Sequence, residues 1–157
     1  MRILGIDPGT GILGFGIVDV DKNGKYKMVD AGVIRTSSTQ SDSTRLKIIY
    51  DELKVIINEN KPTIMSVEKL FFAQNVTTAM TVSQARGVVL LLGEKSNMDL
   101  YEFTPLQIKQ AMTGYGRADK KQIQEMVRIL LNLSEVPKPD DCADALAAAI
   151  VCAMTVR

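Results

Sequence analysis

From Asp140 to Thr155 the chain reads DDCADALAAAIVCAMT, with acids confined to its start and no Lys or Arg anywhere in it. A helix of this composition has to lay its small apolar side chains against a sheet. The segments that precede it supply one. Arg2 to Asp7 is a short apolar run ending in Asp-Pro-Gly, a strand entering a turn. Ile12 to Val20 and Tyr26 to Thr36 flank Asn23-Gly24, a strong hairpin signal. Ser43 or Thr44 caps a helix through Glu59, which places Leu46, Ile49, Tyr50, Leu53, Ile56 and Ile57 on one face before Lys61-Pro62 stops it. A fourth strand over Thr63 to Glu68, a helix over Thr77 to Glu94 and a fifth strand over Met98 to Phe103 follow. Helices over Pro105 to Met112, Lys120 to Leu133 and Asp140 to Met154 complete the chain. The order βββαβαβ with trailing helices predicts an α/β fold, a mixed sheet with helices on its faces.

At 157 residues, with no repeats and no Gly/Ser linker, a single domain over residues 1–157 is expected. The longest apolar stretches, Val88 to Leu92 and Ala145 to Met154, fall short of the roughly 18 residues that mark a membrane span, and no signal peptide is legible. Cys142 and Cys152 lie ten residues apart in one helix, a rise of about 15 Å that forbids a bridge between them. Two unpaired thiols fit a reducing cytoplasm. The chain has no His, which removes His-based triads, His general bases and most catalytic zinc sites.

Chemistry then falls to acids at the ends of elements. Asp7 ends the first strand and Glu68 the fourth, while Asp141 and Asp144 stand at i and i+3 on the last helix and share a face. Asp7 has an alternative role as a turn former, Glu68 as a solvated strand end, and Asp140 and Asp141 as first-turn acids favoured by the helix dipole. Asp144 lies further in, and its own helix offers no cation to pair with it. Four carboxylates without His or Cys ligands form a hard-oxygen site suited to Mg²⁺ or Mn²⁺. Two such ions about 3.5–4 Å apart activate water and stabilise the leaving oxygen in phosphodiester cleavage.

The blocks GIDPGTGILGFGIV, VEKLFFAQN, SQARGVVLLL, IKQAMTGYGRADKKQIQEMV and DDCADALAAAI, in this order and spanning about Ile3 to Ala153, resemble those of the RuvC family, the bacterial Holliday junction endonucleases. The resemblance implies a ribonuclease-H-like fold, a five-stranded mixed sheet flanked by helices on both faces. It implies a homodimer that resolves four-way junction DNA by paired symmetric nicks in recombination and repair, alongside the RuvA–RuvB branch-migration complex. Matched by motif, the catalytic, metal-holding carboxylates fall on Asp7, Glu68, Asp141 and Asp144. Asp141 rather than Asp140 is aligned with the ligand because D-x-x-D precedes ALA, with Asp140 as the substitute. The family's junction-facing aromatic falls on Phe71, with Phe72 beside it, and its functional lysines on Lys109 and Lys120.

Lys109, Arg117, Lys120, Lys121 and Arg128 form a local basic excess around Gly114-Tyr115-Gly116. Alone this reads as a solvated face; beside a metal site and with the family resemblance it reads as phosphate contact, with Lys120 expected nearest the scissile phosphate. Arg86 can pair with a phosphate or with an acid of the first helix. Adjacent Phe71 and Phe72 cannot both face one core in a regular strand: the plain reading is one core Phe and one partly exposed in a loop, and the functional reading is that the exposed one stacks on an unpaired base. The rival readings are a phosphate-binding ATPase or sugar-kinase lobe, a non-catalytic junction-binding module, and another ribonuclease-H-like nuclease acting on RNA hybrids or linear DNA.

Overall fold

A computed structural model describes residues 1–69 and 76–156. Five strands, β1 (Arg2–Asp7), β2 (Ile12–Val20), β3 (Tyr26–Arg35), β4 (Ile64–Glu68) and β5 (Asp99–Phe103), form one sheet in the order β3-β2-β1-β4-β5. β1 pairs antiparallel with β2 and parallel with β4; β2–β3 is antiparallel and β4–β5 parallel. The expected mixed sheet is therefore present. At the β2–β3 turn the Asp21 carboxylate accepts the Asn23 and Lys25 N–H groups, and Gly24 takes the positive φ of 84° that the turn requires.

Among the described residues, five helices cover the two faces: α1 (Asp42–Asn60), α2 (Val76–Lys95), α3 (Pro105–Thr113), α4 (Lys120–Leu130) and α5 (Asp140–Thr155). α1 starts earlier than its expected cap, because the Ser41 hydroxyl accepts the Thr44 N–H. α4 stops short of Leu133, its C-cap being Leu131 with Asn132 beyond it at positive φ. Thr104–Gln107 and Asp119–Gln122 form reciprocal capping boxes that fix the starts of α3 and α4.

Alternation along the strands sorts the sheet's two faces. Leu4 and Ile6 of β1, Leu13, Phe15 and Ile17 of β2, and Met65 and Val67 of β4 enter one buried cluster with Ile49 and Leu53 of α1 and Ala85 and Val89 of α2. Ile3, Val18 and Ile64 enter the other, with Leu146, Ala149 and Ile150 of α5 and Ile123 and Val127 of α4. On that second face Gly5 follows Ile3, Ser66 follows Ile64, and Gly14 and Gly16 precede Val18. These small residues let α5 approach closely. A Cβ on Gly5 would overlap the Ala145 carbonyl oxygen, and one on Gly14 would overlap the Asp141 carbonyl oxygen. The buried Ser66 hydroxyl donates to the Ala148 carbonyl at 2.8 Å. The run from Ala145 to Ala153 is correspondingly buried throughout, and both cysteines are buried free thiols.

By length and composition α2 alone among the described helices could cross a membrane, a possibility that its shorter apolar run Val88 to Leu92 did not raise. Here α2 instead lies on the sheet, with Ala85, Val89, Leu92 and Gly93 buried. Its mid-helix Arg86 is ion-paired to Glu102 of β5.

Candidate active site

The alternation that directs Ile3 and Gly5 at α5 directs Asp7 the same way, two residues on. Glu68 follows Ile64 and Ser66 by the same rule on the neighbouring parallel strand. Both acids thus emerge at one end of the sheet, on the face that α5 covers. The Gly14 contact sets the first turn of α5 against β2, so Asp141 and Asp144 arrive at the same end. Asp7, Glu68, Asp141 and Asp144 are each partly buried.

Their electrostatics follow from this proximity. Burial, then the charges of Glu68, Asp144 and Asp141, push the Asp7 carboxyl up to about 7. Burial and then Asp144 push Glu68 up to about 7, against the lowering influence of Lys109 and Lys120. Burial also raises Asp144, opposed by its hydrogen bond from Lys120. The partner that Asp144 lacks on its own helix therefore comes from α4: the Lys120 Nζ stands 3.1 Å from its Oδ2. The same ammonium lies 3.3 Å from Asp140.

A cavity of about 230 Å³ opens here, lined by Glu68, Lys109, Lys120 and Asp144 with Pro105, Ile108, Ile123 and Ala147. Glu68 and Asp144 give this cavity carboxylate oxygen, with Asp7 and Asp141 close by outside its lining, and such donors fit a hard divalent cation. Among the described residues no three acidic or thiol groups already form a closed cation cage. The acids raise one another's carboxyls, and a divalent cation is the counter-charge that would offset this.

The remaining basic residues separate. Lys109 lines the cavity. Arg117 is exposed on the connection between α3 and α4. Lys121 points into a different groove, with Met112, Thr113 and Glu125. Arg128 leaves the basic set, because it pairs with Glu125 and donates to the Leu133 carbonyl at the end of α4. The acid that holds Arg86 is Glu102 of the sheet, not one from the first helix. Phe71 and Phe72 lie outside the described residues.

Proton uptake predicts a stability profile for the ion-free protein. The folded values of about 7 for Asp7 and Glu68 exceed the ordinary carboxylate values of 3.8 and 4.5. Between about pH 4 and pH 7 the folded state binds more protons than the unfolded one, so these groups lower stability as pH rises through that window. Asp7→Asn should raise the melting temperature of EDTA-treated protein at about pH 8, by a stability gain on the order of 2 kcal/mol, and should change it little at about pH 4. An Asp7→Asn protein that melts lower than the parent at the alkaline end would contradict the repulsion described here.

The model of the crossover junction endodeoxyribonuclease RuvC family matches residues 3–152. The chain belongs to the RuvC family. A RuvC of Fusobacterium nucleatum is 55% identical over 150 residues, covering 96% of this chain and 78% of that protein. A solved RuvC structure from Thermus thermophilus superposes with a TM-score of 0.90 at 35% identity, covering 96% of this chain and 92% of that one. Another, described as T. thermophilus RuvC in complex with Holliday junction substrate, gives a TM-score of 0.88 at 32% identity over the same shares of the two chains. The expected ribonuclease-H-like, five-stranded fold is thus that of RuvC structures.

Within this RuvC family member, two elements of the site escaped the sequence reading. One is the small-residue face of the sheet, for which GILGFG and ALAAA carried the signal. The other is the engagement of Asp140. It is exposed and absent from the cavity lining, and it accepts a 3.0 Å hydrogen bond from the Gln124 side chain as well as facing Lys120.

Proposed function

We propose that this chain is a metal-dependent Holliday junction resolvase, a single-domain nuclease that nicks four-way DNA in recombination and repair. The observation that carries this is the convergence of Asp7, Glu68, Asp141 and Asp144 with Lys109 and Lys120 at one sheet end, in a chain that matches the RuvC family along nearly its full length. The four carboxylates would hold Mg²⁺, or Mn²⁺ in its place, as two ions per site. When bound, these ions supply the charge that acidifies a water and stabilises the leaving oxygen of the phosphodiester. Lys120 supports the build-up of negative charge at the scissile phosphate, and Lys109 draws the strand into the cavity. Arg117 and Lys121 contact flanking phosphates, and Phe71, with Phe72 next to it, stacks on a base at the crossover.

The proposed active unit is a homodimer, so that two sites cut strands of like polarity. Val76, Met80 and Leu91 of α2 are large exposed apolar residues that support it. The RuvA–RuvB motor is the proposed partner and the cytoplasm the proposed compartment. Junction selectivity can be tested without cutting: in EDTA, a labelled four-way junction bound to the protein should survive a large excess of linear duplex. Equal competition by the duplex would reject the proposal.

The two neighbouring lysines should behave differently. Lys120→Ala is expected to lower the cleavage rate constant about 10²-fold while junction affinity changes little. Lys121→Ala should leave the rate at saturation alone and weaken binding, with the salt slope smaller by about 1. Single-turnover kinetics and a salt titration of binding separate the two, and equal effects from both would remove Lys120 from the scissile phosphate.

A further inference from the structure

We propose that Asp140 is a positioning residue, which keeps Lys120 at the site when a divalent cation claims Asp144. The inference rests on the reading of Asp144 as a metal ligand and of Lys120 as the group beside the scissile phosphate.

The geometry is a four-cornered contact between two helices. Lys120 and Gln124 are i and i+4 on α4; Asp140 and Asp144 are i and i+4 on α5, so each pair shares a face. The Lys120 ammonium bridges the two acids, at 3.1 Å from Asp144 and 3.3 Å from Asp140. The Gln124 amide donates to the other Asp140 oxygen at 3.0 Å, which fixes the plane of that carboxylate. The two acids are unequal. Asp144 lines the cavity with Glu68, whereas Asp140 stands on the solvent side, its side chain 60% exposed against 26% for Asp144.

A divalent cation on Asp144 repels the ammonium that sits there. A lysine that loses its only partner regains the rotamer freedom of a long side chain and leaves the site. Asp140 prevents this, because it offers the same ammonium a second carboxylate from the more exposed side of the contact. An exposed pair of this kind holds weakly, so the effect is a modest bias in where Lys120 spends its time.

The test is a double-mutant cycle of parent, Asp140→Asn, Lys120→Ala and the double variant, each checked by thermal melt. Single-turnover junction cleavage should slow about three- to fivefold in Asp140→Asn with junction affinity unchanged, and Asp140→Asn should add no loss on the Lys120→Ala background. Independently of activity, the Nζ resonance of Lys120 in ¹⁵N-labelled protein loaded with Mg²⁺, assigned by its loss in Lys120→Ala, should show slowed exchange in the parent and fast exchange in Asp140→Asn. Equal rate losses in both backgrounds would make Asp140 an independent contributor, and an unchanged Nζ signal would show that it does not hold the lysine; either result overturns the inference alone. A Lys120→Ala protein that cuts like the parent would overturn the reading of Lys120, and the role of Asp140 with it.

Discussion

Asp7→Asn, Glu68→Gln, Asp141→Asn and Asp144→Asn should each lower Mg²⁺-dependent junction cleavage by about 10³-fold or more while junction binding survives. Each change keeps the side chain's shape and removes one charge from a set whose members already feel one another. Burial and its acidic neighbours raise Asp7, and Asp144 adds to the raising of Glu68. An amide there cannot supply the anionic oxygen that a hard cation requires. The phosphate contacts assigned to lysine and arginine are untouched, so affinity measured in EDTA should stay within a few fold. Asp140→Asn is the internal control: its modest loss should stand far from the collapse caused by Asp141→Asn. Reversal of these two would shift the ligand register on α5 by one residue.

Gly5→Ala should destabilise the protein by about 3 kcal/mol or more, although it adds a single methyl group. The new Cβ would overlap the Ala145 carbonyl oxygen and lie 2.8 Å from the Ala149 nitrogen. Both neighbours are backbone of a buried helix, so no side chain can rotate away to make room. The helix must lift from β1, which forfeits packing along its buried run and carries Asp141 and Asp144 away from Asp7. A melting temperature lowered by roughly 6–12 °C is expected for a chain of this size. Cleavage per folded molecule should fall as well, because the same displacement opens the acidic cluster. A Gly5→Ala protein that melts and cuts like the parent would mean that α5 does not sit where this account places it.

Most of the sheet, and the placing of Asp7, Glu68, Asp141 and Asp144 at element ends, were legible in the sequence because they rest on local rules, while their choice as ligands over plainer roles came from the family resemblance. Period-two alternation, the Asn23-Gly24 turn and an apolar strand ending in an acid are all visible in short windows. The small-residue character of α5 was visible too, but its complement on β1 and β2 was not recognised until the two surfaces met. What stayed hidden depends on contacts between distant segments. The acid opposite Arg86 comes from β5, the cation for Asp144 comes from α4, and Arg128 is consumed by its own helix end. No window of sequence ranks one lysine of a basic cluster above its neighbour. The start of α4 does so physically: it aims Lys120 at the acids and Lys121 into another groove.

The central claim is that the acidic site cuts four-way junctions by paired nicks, and strand mapping on a mobile synthetic junction tests it most directly. The protein would be incubated with the junction, a matched linear duplex and an RNA–DNA hybrid, each with Mg²⁺ and with EDTA. The expected result is Mg²⁺-dependent nicking of the junction alone, at symmetric positions on two strands of like polarity, giving nicked duplex products. Cleavage of the hybrid or the linear duplex as readily as the junction, or junction cleavage that persists in EDTA, would contradict the account.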